Sequence, residues 1–235
     1  MRLRTILNSL GMAGVGIFLL TFSAQAVVNP FTEDFATSAS NWRNGSNTAA
    51  TWLATGGVSD SGYITAAGTI DTNGFGPIVF RGNNSADASG DAFVGNWLAG
   101  GVTLFTAYVR HDAPTNLSFY VRLDAGTGNA ASTTPQQVAP NAWTQLVIPI
   151  TNSLGTNGQV FQSYGAAGTN FGLIFSNIQN VQVALAANQD PITVGQTYTI
   201  GLDQVSVVPE PGVSALLLGS AAALAGFHFF RRRQS

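Results

Sequence analysis

Acidic residues break an otherwise regular alternation at two places in this chain. In Phe31-Thr32-Glu33-Asp34-Phe35 the two-residue period of a strand puts Glu33 on the face it shares with Phe31 and Phe35. If those phenylalanines line a core, the only glutamate between residues 27 and 208 is drawn in with them. In YTIGLDQVSVV (198–208), Ile200 and Leu202 have one parity and Val205 and Val207 the other. Both pairs face inward only if a β-bulge near Asp203 shifts the phase by one residue. First and last strands of a sandwich often lie side by side, which would bring Glu33 or Asp34 to Asp203. Buried carboxylates do not cluster unpaired without a desolvation penalty or a raised pKa, and a hard cation with oxygen ligands relieves both. Glu33, Asp34 and Asp203 are therefore the candidate ligands of a structural calcium ion. The plain alternative pairs one acid with an arginine and turns the others to solvent.

The aromatic residues carry a second chemistry. Trp42, Trp52, Trp97 and Trp143 are the rings large enough to stack on a sugar, although a tryptophan in a sandwich also serves as core. Trp143 has the parity opposite to Leu146, Ile148 and Ile150, and Trp97 stands among Gly95, Gly100 and Gly101. Those two are the candidate glycan contacts. Catalytic signatures are missing by comparison. His111 is the only histidine between residues 27 and 208, so a zinc site built on several histidines is excluded there, and a Ser-His-Asp triad would hang on that one residue. No pair of carboxylates is marked out for glycoside hydrolysis. Gly126-Thr127-Gly128 does not lead from a strand into a helix, as a nucleotide loop would. A non-enzymatic role is expected.

The elements that must position these residues read as strands. Helical periodicity is nearly absent, and short apolar runs alternate with clusters of Gly, Asn, Thr, Ser and Asp. The clearest strands are 101–111 and 116–124, separated by the turn DAPT. In the second, Leu117, Phe119, Val121 and Leu123 share one face, and Ser118, Tyr120 and Arg122 the other. The run 144–150 contains Pro149, which cannot donate to a ladder and so predicts an edge strand. Strands are also expected over 180–187 and 198–208, with polar loops at 82–91 and 125–141. No fixed-period repeat is present. Between residues 27 and 208, four arginines face ten carboxylates, a formal charge of −6, with no lysine and no cysteine. That balance predicts no basic patch and hence no nucleic-acid partner. It also leaves no disulfide framework. DAFVGNW, GGVTLFTAYVR, NAWTQLVIPI, FSNIQNVQVAL and IGLDQVSV, in that order over about residues 91–207, resemble laminin B-type and related galactose-binding-like jelly-roll domains. The resemblance implies an all-β antiparallel sandwich (jelly roll) over 27–208. It also implies, as in many carbohydrate-binding jelly rolls, a structural calcium between first and last strands.

The two ends carry addresses. Residues 1–26 have arginines at 2 and 4, an apolar stretch from Leu10 to Phe22 and Ala24-Gln25-Ala26, the layout of a signal peptide cut by signal peptidase. Residues 213–230 are free of charge and as a helix would cover roughly 27 Å, enough to cross a hydrocarbon core. Arg231, Arg232 and Arg233 then supply a cytoplasmic flank for this transmembrane helix. Val208-Pro209-Glu210-Pro211, one apolar helix and an arginine cluster, in that order over 209–235, resemble the PEP-CTERM sorting signal of exosortase substrates in Gram-negative bacteria. The resemblance implies processing by a membrane-embedded exosortase-type sorting protease and an association with exopolysaccharide and biofilm. The expected route is export, an inner-membrane precursor with a periplasmic domain, then the cell surface or extracellular matrix. Polysaccharide is the expected partner; a structural, protein-contacting matrix component and a polysaccharide hydrolase are the alternatives.

Overall fold

The computed structural model describes residues 29–71, 76–126, 130–150, 161–164, 171–187 and 194–209. The predicted signal peptide (1–26), the segment 210–235 with Glu210, Pro211 and Arg231–Arg233, and the predicted transmembrane helix lie outside them. Among the described residues no helix is long and apolar enough to cross a membrane.

In chain order the strands are β1 (Phe31–Glu33), β2 (Arg43–Asn44), β3 (Thr51–Leu53), β4 (Tyr63–Thr69), β5 (Ile78–Asn83), β6 (Val102–His111) and β7 (Leu117–Asp124). There follow β8 (Ala130–Thr133), β9 (Gln136–Val138), β10 (Thr144–Pro149), β11 (Phe161–Tyr164), the five-residue helix α1 (Phe171–Phe175), β12 (Asn180–Leu185) and β13 (Thr197–Pro209). They form two antiparallel sheets. The first has the order β10-β6-β13-β4-β3, with β1 also on β13; the second has the order β11-β8-β7-β12-β5-β2, with β9 also on β7. The protein is an all-β antiparallel sandwich.

Alternation explains how the sheets face each other. Leu117, Phe119, Val121 and Leu123 of β7 and Val181, Val183 and Leu185 of β12 are fully buried. They meet Phe105, Ala107 and Val109 of β6, Leu146 and Ile148 of β10, and Ile200 and Leu202 of β13 in one core. Burying each large side chain of this set contributes about 1.5–3 kcal/mol. β10 is an edge strand, as Pro149 requires.

β13 is the organising strand. Its β6 side is paired from Ile200 to Pro209. On its other side β4 covers Thr197–Leu202 and β1 covers Val205–Val207. First and last strands are therefore neighbours, with Phe31 opposite Val207 and Glu33 opposite Val205. Between Asp203 and Ser206 the register on β6 slips by one residue, and Gln204 adopts φ 45°. This is the bulge that the parity change in the sequence demands, and it puts both Leu202 and Val205 inside, fully buried.

Two stretches differ from expectation. The segment 125–141, expected as a loop, contributes β8 and β9, and the first residues of 82–91 belong to β5. β4 and β5 escape the alternation rule because small residues hold core positions. A Cβ on Gly68 would lie 2.8 Å from Leu185, and one on Gly82 would lie 2.7 Å from the Trp42 ring. Both glycines exist because a neighbour already occupies the volume.

Candidate functional site

The acidic residues come first. Glu33 is buried, and its carboxylate accepts the Phe35 N–H at 3.0 Å; Asp34 is exposed and accepts the Ala36 N–H at 3.1 Å. Asp203 is fully buried at the bulge, where β4 has ended and β1 has not begun. The turn 57–61 fills that gap. The Val58 N–H and the Ser61 hydroxyl donate to Oδ2 at 2.7 and 2.8 Å, and the Gln204 N–H donates to Oδ1 at 2.7 Å. A Cβ on residue 57 would stand 2.6 Å from Oδ2, so only glycine admits this approach. Burial pushes the Asp203 carboxyl up from its ordinary value, the three donors pull it back, and the Asp34 charge adds a further push upward.

Neither sequence reading of these acids describes them fully. The carboxylates are satisfied by N–H and O–H donors rather than by an arginine. Glu33 is turned to its own strand end, and no group of three or more His, Cys, Asp or Glu side chains gathers among the described residues. Of the other two members of the expected trio, Asp34 is the one whose charge acts on Asp203.

The tryptophans separate cleanly. Trp97 is a correction: its ring is fully buried, stacked on Phe105 at a centroid distance of 6.2 Å, with Nε1 donating to the Phe93 carbonyl at 2.9 Å. The neighbouring glycines serve the turn, not an open ring. Gly101 has φ 62°, and Val102 N–H returns to the Trp97 carbonyl at 3.0 Å, which swings the indole inward. Trp42 is likewise core, with Nε1 on Ser89 Oγ at 2.8 Å.

Trp143 is different. It is half-buried on the outer face of the first sheet, just before β10. Its Nε1 donates to the Gly56 carbonyl at 3.0 Å, and its ring meets Tyr63 edge-on at 5.3 Å. Arg110 lies over both rings, 5.2 Å from Trp143 and 5.3 Å from Tyr63, and its Nη2 donates to the Tyr63 hydroxyl at 3.1 Å. A Cβ on Gly201 would come within 2.9 Å of the indole, so the bare backbone of β13 is the floor under these aromatics. Beside Tyr63 and Arg110 opens a recess of about 200 Å3, lined also by Asp112, Asn141 and Thr199; Trp143 packs against Tyr63 and Arg110 and is not itself in the lining. Asp112 is the one carboxylate in its lining, and it is held by the Thr199 N–H at 2.8 Å. Sequence reasoning found Trp143 but missed Tyr63 and Arg110. Their only signal was outward parity on β4 and β6, which becomes meaningful once the register sets Arg110 opposite Gly201.

No family model matches the chain, and no curated protein matches it. Solved structures with a similar fold do exist. An exo-beta-agarase gives a TM-score of 0.50 at 9% identity, covering 77% of this chain and 25% of that one. The C-terminal family 22 carbohydrate binding module of a Clostridium thermocellum xylanase gives 0.47 at 12% identity, covering 77% and 95%. A xylan-binding domain gives 0.47 at 11% identity, with the same coverage. The chain thus spans a quarter of the agarase and nearly all of the separate modules. At these identities the likeness is one of fold.

Proposed function

We propose that this chain is an exported cell-envelope or extracellular-matrix protein whose sandwich is a non-catalytic polysaccharide-binding module. The observation that carries the reading is the recess beside Trp143, Tyr63 and Arg110. The Tyr63 ring, backed by Trp143, next to a guanidinium, a carboxylate and an amide offers a sugar both an apolar face and hydrogen-bond partners. Asp112 has no carboxylate partner in that lining, whereas hydrolysis by the two-carboxylate mechanism needs one. The jelly-roll assignment and the PEP-CTERM reading of residues 209–235, with exosortase processing and release from the inner membrane, belong to the same proposal. So does calcium, now resting on Asp34 and Asp203.

The test is binding of the full chain, in mild detergent, to neutral xylan and agarose and to the producing organism's extracellular polysaccharide. Saturable binding is expected, and Trp143→Ala, which removes the ring that holds Tyr63 and Arg110 at the recess, should weaken it by roughly tenfold. Binding that is absent, or indifferent to Trp143, rejects the recess as the site.

A further inference from the structure

The second sheet carries a feature that composition conceals. Across its strands the Cα partners run Arg43 to Arg81, Arg81 to Gln182, and Gln182 to Arg122. Directly opposed residues in antiparallel strands project from the same face. The alternate positions Val121, Leu123, Val181 and Val183 fill the core, so this row is on the sheet's other face, where its arginines are half-buried. Three of the four arginines between residues 27 and 208 thus stand in one line, and the strands of this sheet hold a single carboxylate, Asp124. The expectation of no basic patch is corrected by register: strands distant in sequence bring together what the sequence scatters.

The row is not explained by stability. Like charges set opposite each other are unfavourable. Burial, and then the charge of Arg122, hold the Arg81 guanidinium below its ordinary pKa. Asp124 lies 3.8 Å from Arg122, accepts the Gly126 N–H at 2.8 Å, and its charge offsets only part of the downward push on Arg81. Among the described residues Arg81 donates to the Gly45 carbonyl alone, at 3.3 and 3.4 Å. Gln182, 1% exposed at the centre of the row, accepts from Arg122 at 3.1 Å and fixes that guanidinium in place. On the same face the Oδ1 of Asn180 is buried without a partner. A pre-positioned, half-buried cationic row with spare donors is a receptor for anions.

We propose that this outer face binds an anionic polysaccharide, with Arg43, Arg81 and Arg122 holding successive carboxylate or sulfate groups along the chain. It shares with the recess at Tyr63 and Arg110 only the class of polymer, and it lies on the opposite sheet. The spacing selects the ligand. One strand step separates Arg43 from Arg81 and two separate Arg81 from Arg122, so the backbone positions are roughly 5 and 10 Å apart. Charges borne by sugar rings fit such intervals. Duplex DNA, with one charge per roughly 1.7 Å, calls for a denser cationic surface.

The experiment measures binding of the full chain to alginate and polygalacturonate, to neutral xylan and agarose, and to a DNA oligonucleotide, at low and high salt. Polyuronate binding is expected, falling with salt. Arg81→Gln with Arg122→Gln should weaken it by roughly tenfold or more, the scale of lost charge-assisted hydrogen bonds. Arg43→Gln, on the edge strand, is the decisive variant if the double variant fails to fold, and it should weaken the same binding. Trp143→Ala should leave polyuronate binding intact, so failure of the recess and failure of the row are told apart. Absent polyuronate binding, binding unchanged in the arginine variants, or tighter arginine-dependent binding of DNA would each overturn the proposal.

Discussion

His111 shows how a single side chain fixes a pH limit. It is 2% exposed, its Nε2 bonds the Val138 carbonyl at 2.9 Å, and its Nδ1 is buried with no partner. With Nε2 donating, Nδ1 stays unprotonated, and a second proton would place an unsatisfied charge in the protein. Burial accordingly lowers the His111 pKa from its ordinary 6.5, against smaller upward pushes from the Val138 carbonyl and Asp112. The unfolded chain then binds the proton more readily than the folded one. Stability is complete above about pH 6.5 and declines as pH falls from there toward the depressed folded value. Denaturant midpoints measured between pH 7.5 and 5 should fall, and His111→Gln, which keeps a donor for Val138 but cannot titrate, should flatten that fall. An equal slope in both proteins would assign the pH dependence elsewhere.

At the scale of elements, the bulge in β13 is where sequence and structure agree most closely. The parity change between Leu202 and Val205 was legible because both faces of the strand are constrained, so a slip of one residue has only one place to go. The neighbours of Asp203 were not legible. Val58 and Ser61 lie 145 and 142 residues away in sequence, and two of the three donations come from backbone N–H groups that no residue type announces. Trp97 was misread for a related reason: glycines beside a ring mark a turn, and a turn can aim the ring either way. The arginine row was invisible because cross-strand register is a property of pairing, not of any one strand. The bulge also localises the calcium question. If a cation bridges Asp34 and Asp203, adding calcium should raise the unfolding midpoint of the wild-type chain and not that of Asp34→Asn. A midpoint indifferent to calcium removes the ion from this protein.

The whole molecule has two outward faces with different chemistry, an aromatic recess on one sheet and a cationic row on the other, held apart by one core. Both depend on β13 or on strands packed against it, and β13 is paired on both edges over 200–202 and 206–207. Its antiparallel partner β1 is three residues long and begins beside the strand's C-terminal end, with Phe31 opposite Val207. This arrangement makes the response to force depend on where it enters. Tension between the two chain ends would unzip β1 from β13 one hydrogen bond at a time. Tension between the C-terminal end and a load on the face of the sandwich would instead shear β13 against β6 and β4 together, loading many bonds at once. Because the chain has no cysteine, a single one introduced at the exposed Thr69, at the end of β4 and opposite Thr197 at the far end of β13, gives a unique handle. Rupture force measured from that handle to the C-terminus should exceed, several-fold, the force that first peels β1 when the two ends are pulled. A domain tethered through β13 while gripping a polymer would then be mechanically rigid along its working axis, and compliant only in the direction in which no ligand pulls.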